Sequence, residues 1–218
     1  MSRLVDCNHV VEHAMVTYPG IPGPVVSDHL SREESRSHYA PGTEFHIARI
    51  DMVANTGTYL DAPSHRFPDG ADLAGLPLER LANLDGIVLD PPPGDRAIGS
   101  GVLDGVAVEG RAVLFRTGWD RHWRTDAYGH GHPFLTAECA GALVERGVAL
   151  VGIDSLNIDD IATGERPVHT QLLRAGIPIV EHLCGLDALG SRAFRFFAVP
   201  VRVRGMGTFP VRAFAIVD

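Results

Sequence analysis

Between Asn55 and His65 the chain runs Asn-Thr-Gly-Thr-Tyr-Leu-Asp-Ala-Pro-Ser-His, setting a carboxylate, Asp61, and an imidazole, His65, four residues apart. Gly57 permits a backbone conformation that other residues resist, and Pro63 stiffens the link between the two polar groups. A carboxylate held beside an imidazole suits two kinds of chemistry. Imidazole titrates near neutrality and can shuttle a proton to a leaving group. Carboxylate and imidazole together are also a common donor set for divalent metals. His65 is read as a proton-transfer group, while Asp61 on its own is as much a turn-capping carboxylate as a ligand or catalytic group. The plainer alternative for His65 is a histidine packed on Pro63 and Phe67.

These groups need elements to hold them. Residues 45–53 mix aliphatic and polar side chains as a half-buried strand would, and deliver the chain into the Thr56-Gly57-Thr58 turn. Further short runs rich in β-branched and aromatic residues, at 86–90, 112–116, 148–153, 194–203 and 211–217, predict strands. Residues 136–146 have helical spacing, with Thr136 as N-cap and Gly147 just past the end. Pro167 opens a second helix that turns Leu172 and Leu173 to the core, Gly176 closes it, and residues 177–180 run as a buried strand into Glu181. His169 then lies in a helix's first turn and Glu181 at a strand's end. Strands and helices without regular βαβ alternation argue for an irregular α/β or α+β domain and against a doubly wound sheet.

Other polar landmarks carry less. His46 and Arg49 precede the Asp61 run on a strand whose facing alternation alone does not fix. Trp119, His122, Trp123 and Tyr128 form an aromatic-rich loop that suits either a flat substrate or simple packing. His130 and His132 flank Gly131 and are read as loop histidines.

The Asn55 to His65 run resembles the signature of the cyclase-like metal-dependent hydrolases, the family of bacterial kynurenine formamidase and isatin hydrolase, whose motif is His-x-Gly-Thr-His-x-Asp-x-Pro-x-His. Thr56-Gly57-Thr58, Asp61, Pro63 and His65 fall in register, while Asn55 and Tyr59 stand where the family carries its first two histidines. The stretch from Val168 to Leu183 resembles the family's second block, in which a His and a Glu twelve residues apart face the same site; here they are His169 and Glu181. Asp6 with His9, Tyr18-Pro19-Gly20, Arg116-Thr117-Gly118-Trp119, Gly152-Ile153-Asp154 and Pro210-Val211-Arg212 are further landmarks in the expected order, so the similarity covers nearly the whole chain.

The resemblance implies a swivelling β/β/α fold, a barrel-like mixed sheet with a few packed helices, and association as a homodimer or homotetramer. It implies hydrolysis of a small non-peptide amide, lactam, lactone or ester. His65, Tyr59 and Asp61 would serve catalysis, with Asn55 and Trp119 touching the substrate. Asp61, His169 and Glu181 would hold one divalent metal, zinc or manganese. With the first two histidines replaced, a two-metal site is not expected, and a metal-free site stands as the alternative. Tyr59 would then place a phenol beside Asp61, able to donate to an oxyanion or to the carboxylate. The second class of function is a metal-free cyclase, lyase-like or small-molecule-binding protein that kept the fold.

Composition bounds these readings. A chain of 218 residues, 45% hydrophobic, suffices for one sizeable core, and no linker or repeat divides it, so residues 1–218 are read as a single domain. Pro91-Pro92-Pro93-Gly94 is read as a stiff surface loop. A net charge of −8 without a basic face argues against nucleic acid as partner and leaves a small-molecule substrate. All nineteen basic residues are arginine, which excludes a lysine Schiff base and leaves only guanidinium groups to pair with substrate carboxylates. Cys7, Cys139 and Cys184 show neither disulfide-framework nor zinc-ribbon spacing. No apolar run approaches the roughly 20 residues of a membrane helix, and no signal core opens the chain. A cytoplasmic protein without membrane attachment is expected.

Overall fold

In the computed structural model, which describes residues 2–190 and 193–217, the short apolar runs become strands. They are β1 (Arg3–Asp6), β2 (Val25–Leu30), β3 (Ile47–Asp51), β4 (Tyr59–Asp61), β5 (Leu84–Leu89), β6 (Ala97–Ile98), β7 (Ala112–Phe115), β8 (Phe134–Leu135), β9 (Leu150–Ile153), β10 (Ile179–Glu181), β11 (Phe194–Phe197), β12 (Thr208–Pro210) and β13 (Phe214–Val217). The α-helices are α1 (Arg32–Ser35), α2 (Ala137–Glu145) and α3 (Pro167–Arg174). Nine strands make one curled mixed sheet in the order β1-β13-β11-β5-β7-β9-β10-β4-β12. Its centre, β5 to β10, is parallel, and both flanks are antiparallel. This is the mixed α/β architecture with few helices that the family resemblance implies.

Two apolar cores lie on the sheet's two faces, and β7 shows why. Successive strand residues point to opposite faces, so Ala112 and Leu114 enter one core while Val113 and Phe115 enter the other. The second core is closed by α2 through Cys139, Ala140 and Leu143, and by α3 through Val168, Leu172 and Leu173. Both helices begin as their sequences require: Thr136 accepts from Cys139 N, and Pro167 takes the first turn of α3 where a missing N–H costs least. Gly152 lies where a Cβ would meet Leu183 Cδ1 at 2.6 Å and Leu114 Cδ2 at 2.8 Å, so glycine is what lets these leucines close over β9.

Three sequence expectations need correction. Residues 45–53 do not form a half-buried strand of the main sheet. Only Ile47–Asp51 is extended, paired antiparallel with β2 in a separate two-stranded ribbon, and all five of its residues are exposed. The strand expected at 194–203 stops at Phe197, shortly before Pro200, whose missing N–H cannot serve a ladder. The short strand β4 is absent from the sequence expectation, because three residues within a turn-rich motif carry no periodicity.

β4 is nevertheless the element on which the site depends. It lies between β10 and β12, with Tyr59 opposite Glu181 and Asp61 opposite Thr208. Directly opposed residues of an antiparallel pair project to the same face, so this register sets two polar pairs side by side. Gly57, at φ +65°, makes the turn that leads the chain into β4.

Candidate active site

The register delivers its two hydrogen bonds. Tyr59 OH donates to Glu181 Oε2 at 2.6 Å, and Thr208 Oγ1 lies 2.5 Å from Asp61 Oδ1. Thr208 Oγ1 also lies 2.8 Å from His65 Nδ1. A hydroxyl has one proton to give. That proton goes to Asp61 Oδ1, so the threonine oxygen accepts from Nδ1–H of His65. The imidazole is thereby held in the tautomer whose Nε2 carries a lone pair. Asp61 is fully buried, whereas the His65 side chain is 35% exposed and lines the cavity described below, as a group that exchanges protons with a substrate must be. A Cβ on Gly207 would collide with the backbone of His65, so glycine there allows the close approach that puts Thr208 in place.

His169 approaches from the first turn of α3. Its Nδ1 is 2.6 Å from Asp159 Oδ2, and Asp159 also accepts from the backbone amides of Val168 and His169. One buried carboxylate thus caps the helix and fixes the ring, leaving Nε2 aimed at Asp61 Oδ2 (3.6 Å) and Glu181 Oε1 (3.7 Å). Burial opposes a charged imidazole, but the Asp159, Asp61 and Glu181 carboxylates outweigh it and push His169 up to about 10 when no cation competes. Burial pushes the Glu181 carboxyl up, while Tyr59 and the Ile158 amide, 2.7 Å from Oε1, hold it as an acceptor.

The fit to a divalent metal rests on Asp61 Oδ2, which is buried and has no hydrogen-bond partner. Two donors each about 2.1 Å from a tetrahedral ion sit roughly 3.4 Å apart, close to the 3.6 Å and 3.7 Å at which Asp61 Oδ2 and Glu181 Oε1 stand from His169 Nε2. Asp61, His65 and His169 also offer donor atoms within 4.8 Å of one another. The residues therefore suit one ion. They do not suit the two-histidine half of the motif, since Asn55 is a poor nitrogen donor and Tyr59 already bonds Glu181.

These groups meet at a cavity of about 320 Å³, whose wall includes Asn55, Tyr59, His65, His169 and Glu181. The sequence expectation for Tyr59 is corrected in one respect: its phenol bonds Glu181, not Asp61. Burial and the Glu181 charge hold its pKa far above the usual tyrosine range, so it stays a donor, with its single proton committed. Trp119 is not part of this wall. Its indole donates to Tyr128 O, and it lines a separate cavity beside Pro91–Pro93. His132, read as a loop histidine, is buried and bonds the backbone oxygen of Asp159 at 3.1 Å, bracing the segment that orients His169.

Behind the cavity His182 is fully buried among the rings of Tyr18, Tyr59, Trp123 and Tyr128, with Nδ1 2.8 Å from Tyr128 OH. Burial holds it well below the usual histidine range, and His9, stacked on Trp123 at 3.9 Å, is pushed down to about 4 for the same reason. Tyr18 joins this cluster to the cavity wall, its OH donating to Leu156 O and accepting from Asn157 Nδ2.

The sequence model of a family described as putative cyclase matches residues 5–160. The chain belongs to this cyclase family. Kynurenine formamidase of Bacillus cereus is 27% identical over 221 residues, covering 97% of this chain and 96% of that protein. A solved structure described as a potential metal-dependent hydrolase with cyclase activity superposes with a TM-score of 0.81 at 25% identity, covering 100% and 99% of the two chains. An isatin hydrolase bound to the product analogue thioisatinate shares the fold at a TM-score of 0.83 and 21% identity, covering 100% and 93%. As a cyclase-family chain it keeps the motif's aspartate and last histidine at Asp61 and His65, and departs from it at Asn55 and Tyr59.

Proposed function

We propose that this cyclase-family hydrolase cleaves a small non-peptide amide, lactam, lactone or ester in the cavity beside His65. The observation that carries the reading is the row Asp61, Thr208, His65, which leaves an imidazole lone pair at an accessible wall of an otherwise buried polar site. His65 Nε2 takes a proton from a water as its oxygen adds to the carbonyl carbon. It then returns that proton to the leaving nitrogen or oxygen as the bond from that atom to carbon breaks, giving an acid and an amine or alcohol. Asp61, acting through Thr208, stabilises the ring while it is charged. The kynurenine formamidase and isatin hydrolase names of the relatives support an amide as the bond cleaved.

Asp61, His169 and Glu181 would hold one divalent cation, zinc or manganese, which supplies Lewis-acid polarisation of the carbonyl when bound. Replacing His65 by Ala is expected to cut turnover by roughly two orders of magnitude or more with the fold retained. Wild-type rates in a folded His65→Ala protein, measured on any formamide, lactam or lactone substrate, would remove His65 from the reaction.

A homodimer or homotetramer in the cytoplasm completes the proposal. No helix among the described residues is long and apolar enough to cross a membrane. The β2–β3 ribbon exposes Val25, Val26, Ile47 and Ile50, each 44% exposed or more, and two strands alone are marginal in water, so a second copy is a natural cover. Sedimentation as a monomer at micromolar concentration would refute it.

A further inference from the structure

Just beyond β1 the chain runs against the segment that leaves β10, where Asn8 and Leu183 form an antiparallel bridge. One step along, Cys184 N donates to Cys7 O at 3.2 Å. In an antiparallel pairing the residue before one partner faces the residue after the other, so Cys7 stands opposite Cys184. Opposed residues joined by a backbone hydrogen bond have Cα atoms about 5.5 Å apart, which falls at the commonest Cα spacing of disulfide-linked cysteines, about 5.5–6 Å. Both are free thiols. The two backbones are also held from outside the pair: Cys7 N donates to Ala213 O at 2.8 Å, Leu183 N to Ile153 O at 3.0 Å, and Gly185 N to Asp120 Oδ2 at 3.1 Å. Cys7 is buried and Cys184 half-buried, so a reagent in solution meets Cys184 first. Burial pushes both thiols up to about 12, which keeps them protonated at neutral pH and the pair reduced until an oxidant is supplied. Cys139 belongs to the second core, on the far face of the sheet from Cys7.

We propose that Cys7 and Cys184 are a cross-strand dithiol that closes reversibly into a disulfide, with a low-molecular-weight disulfide such as oxidised glutathione as the oxidant. Cys184 Sγ, on losing its proton, attacks one sulfur of the reagent, forming a mixed disulfide and expelling one glutathione thiolate, which takes up a proton. Cys7 Sγ, likewise deprotonated, attacks Cys184 Sγ, forms the cross-strand bond and expels the second glutathione, which is protonated in turn. Two protein thiols are oxidised and one disulfide is reduced to two thiols, so electrons and protons balance. The bond encloses nearly the whole chain in one loop, and long loops are those whose closure constrains the unfolded state most. It also lands three residues beyond Glu181, tying the exit of β10 to the amino-terminal strand. The proposal is independent of the hydrolase reading, since it draws on no residue of the cavity.

The test incubates the folded protein overnight with oxidised glutathione at about pH 8.5, where an ordinary thiol is half ionised. The reagent is then removed, free thiols are counted in denaturant, and the intact mass is measured. Wild type, with three free cysteines, is expected to keep one, Cys139, as a single chain lighter by two hydrogens, and dithiothreitol should restore all three. Cys139→Ser should lose both of its thiols. Cys7→Ser should instead stop at the mixed disulfide, carrying glutathione on Cys184. The bridged wild type should unfold at a higher denaturant concentration than its reduced form, and treated Cys184→Ser should show no such difference. Because Cys184 is half-buried, Cys184→Ser decides the matter should Cys7→Ser fail to fold. Three free thiols in the treated wild type, glutathione retained on its Cys184, or a bond between two chains on a non-reducing gel would each overturn the proposal.

Discussion

Thr208 Oγ1 lies 2.8 Å from His65 Nδ1 although 143 positions separate the two residues in sequence. The contact exists because β12 pairs with β4 in the register that sets Thr208 opposite Asp61, while the short helical turn after β4 carries His65 back over the same hydroxyl. Thr208 is a positioning residue: it fixes the ring's tautomer and transmits the Asp61 charge.

Thr208→Val keeps the shape and removes the hydroxyl. Turnover is expected to fall about tenfold or more, because the imidazole loses the acceptor that holds its proton on Nδ1. Asp61 would lose its hydrogen bond at Oδ1, costing about 1–3 kcal/mol of stability. Thr208→Ser should restore both. Wild-type kcat and an unchanged pH profile in a folded Thr208→Val protein would show that the hydroxyl serves packing alone.

The sequence disclosed the part of this site that is local. Asp61 and His65 lie within one motif, and His169 and Glu181 within one helix-to-strand passage, so their joint placement follows from short-range order. Thr208 and His132 reach the site from far along the chain, which no spacing reveals, and Asp159, ten positions before His169, lies in a loop that carries no periodic pattern. The Gly207-Thr208 step ahead of Pro210 offered a faint signal, a glycine that permits close backbone approach. The ribbon shows the opposite failure. Its apolar residues look half-buried in sequence, yet among the described residues nothing covers them. Tyr59 was legible as a changed residue, but its partner was decided by β4–β10 register.

That register leads to a prediction about the metal. Asp61→Asn and His169→Ala are each expected to lower the zinc or manganese content of purified protein markedly, and Asn55→Ala to leave it near wild type. Tyr59→Phe frees Glu181 Oε2 while the ring keeps its volume, so metal content should hold or rise as activity falls and stability drops by about 1–2 kcal/mol. Elemental analysis of all four variants sorts the donors. Equal content throughout would exclude Asp61 and His169 as ligands, and loss confined to Asn55→Ala would place the ion elsewhere.

The last prediction concerns acid. His9 is neutral in the fold down to about pH 4, and burial holds His182 well below the usual histidine range, whereas in the unfolded chain each takes up a proton near pH 6.5. Between those limits the unfolded state binds more protons, so this contribution to stability is complete above pH 6.5 and is lost as pH falls toward 4. Asp154 opposes it. Burial pushes its carboxyl up to about 6, so its contribution is present at low pH and is lost as pH rises through 6. The net slope therefore mixes signs, and a difference measurement isolates one group. His9→Phe keeps a ring against Trp123 and removes the titration, so denaturant unfolding at pH 7 and pH 4.5 should show wild type losing up to about 3 kcal/mol more than the variant. Equal losses in the two proteins would mean that His9 is hydrated or partnered in the fold, and that its stack on Trp123 does not hold it neutral.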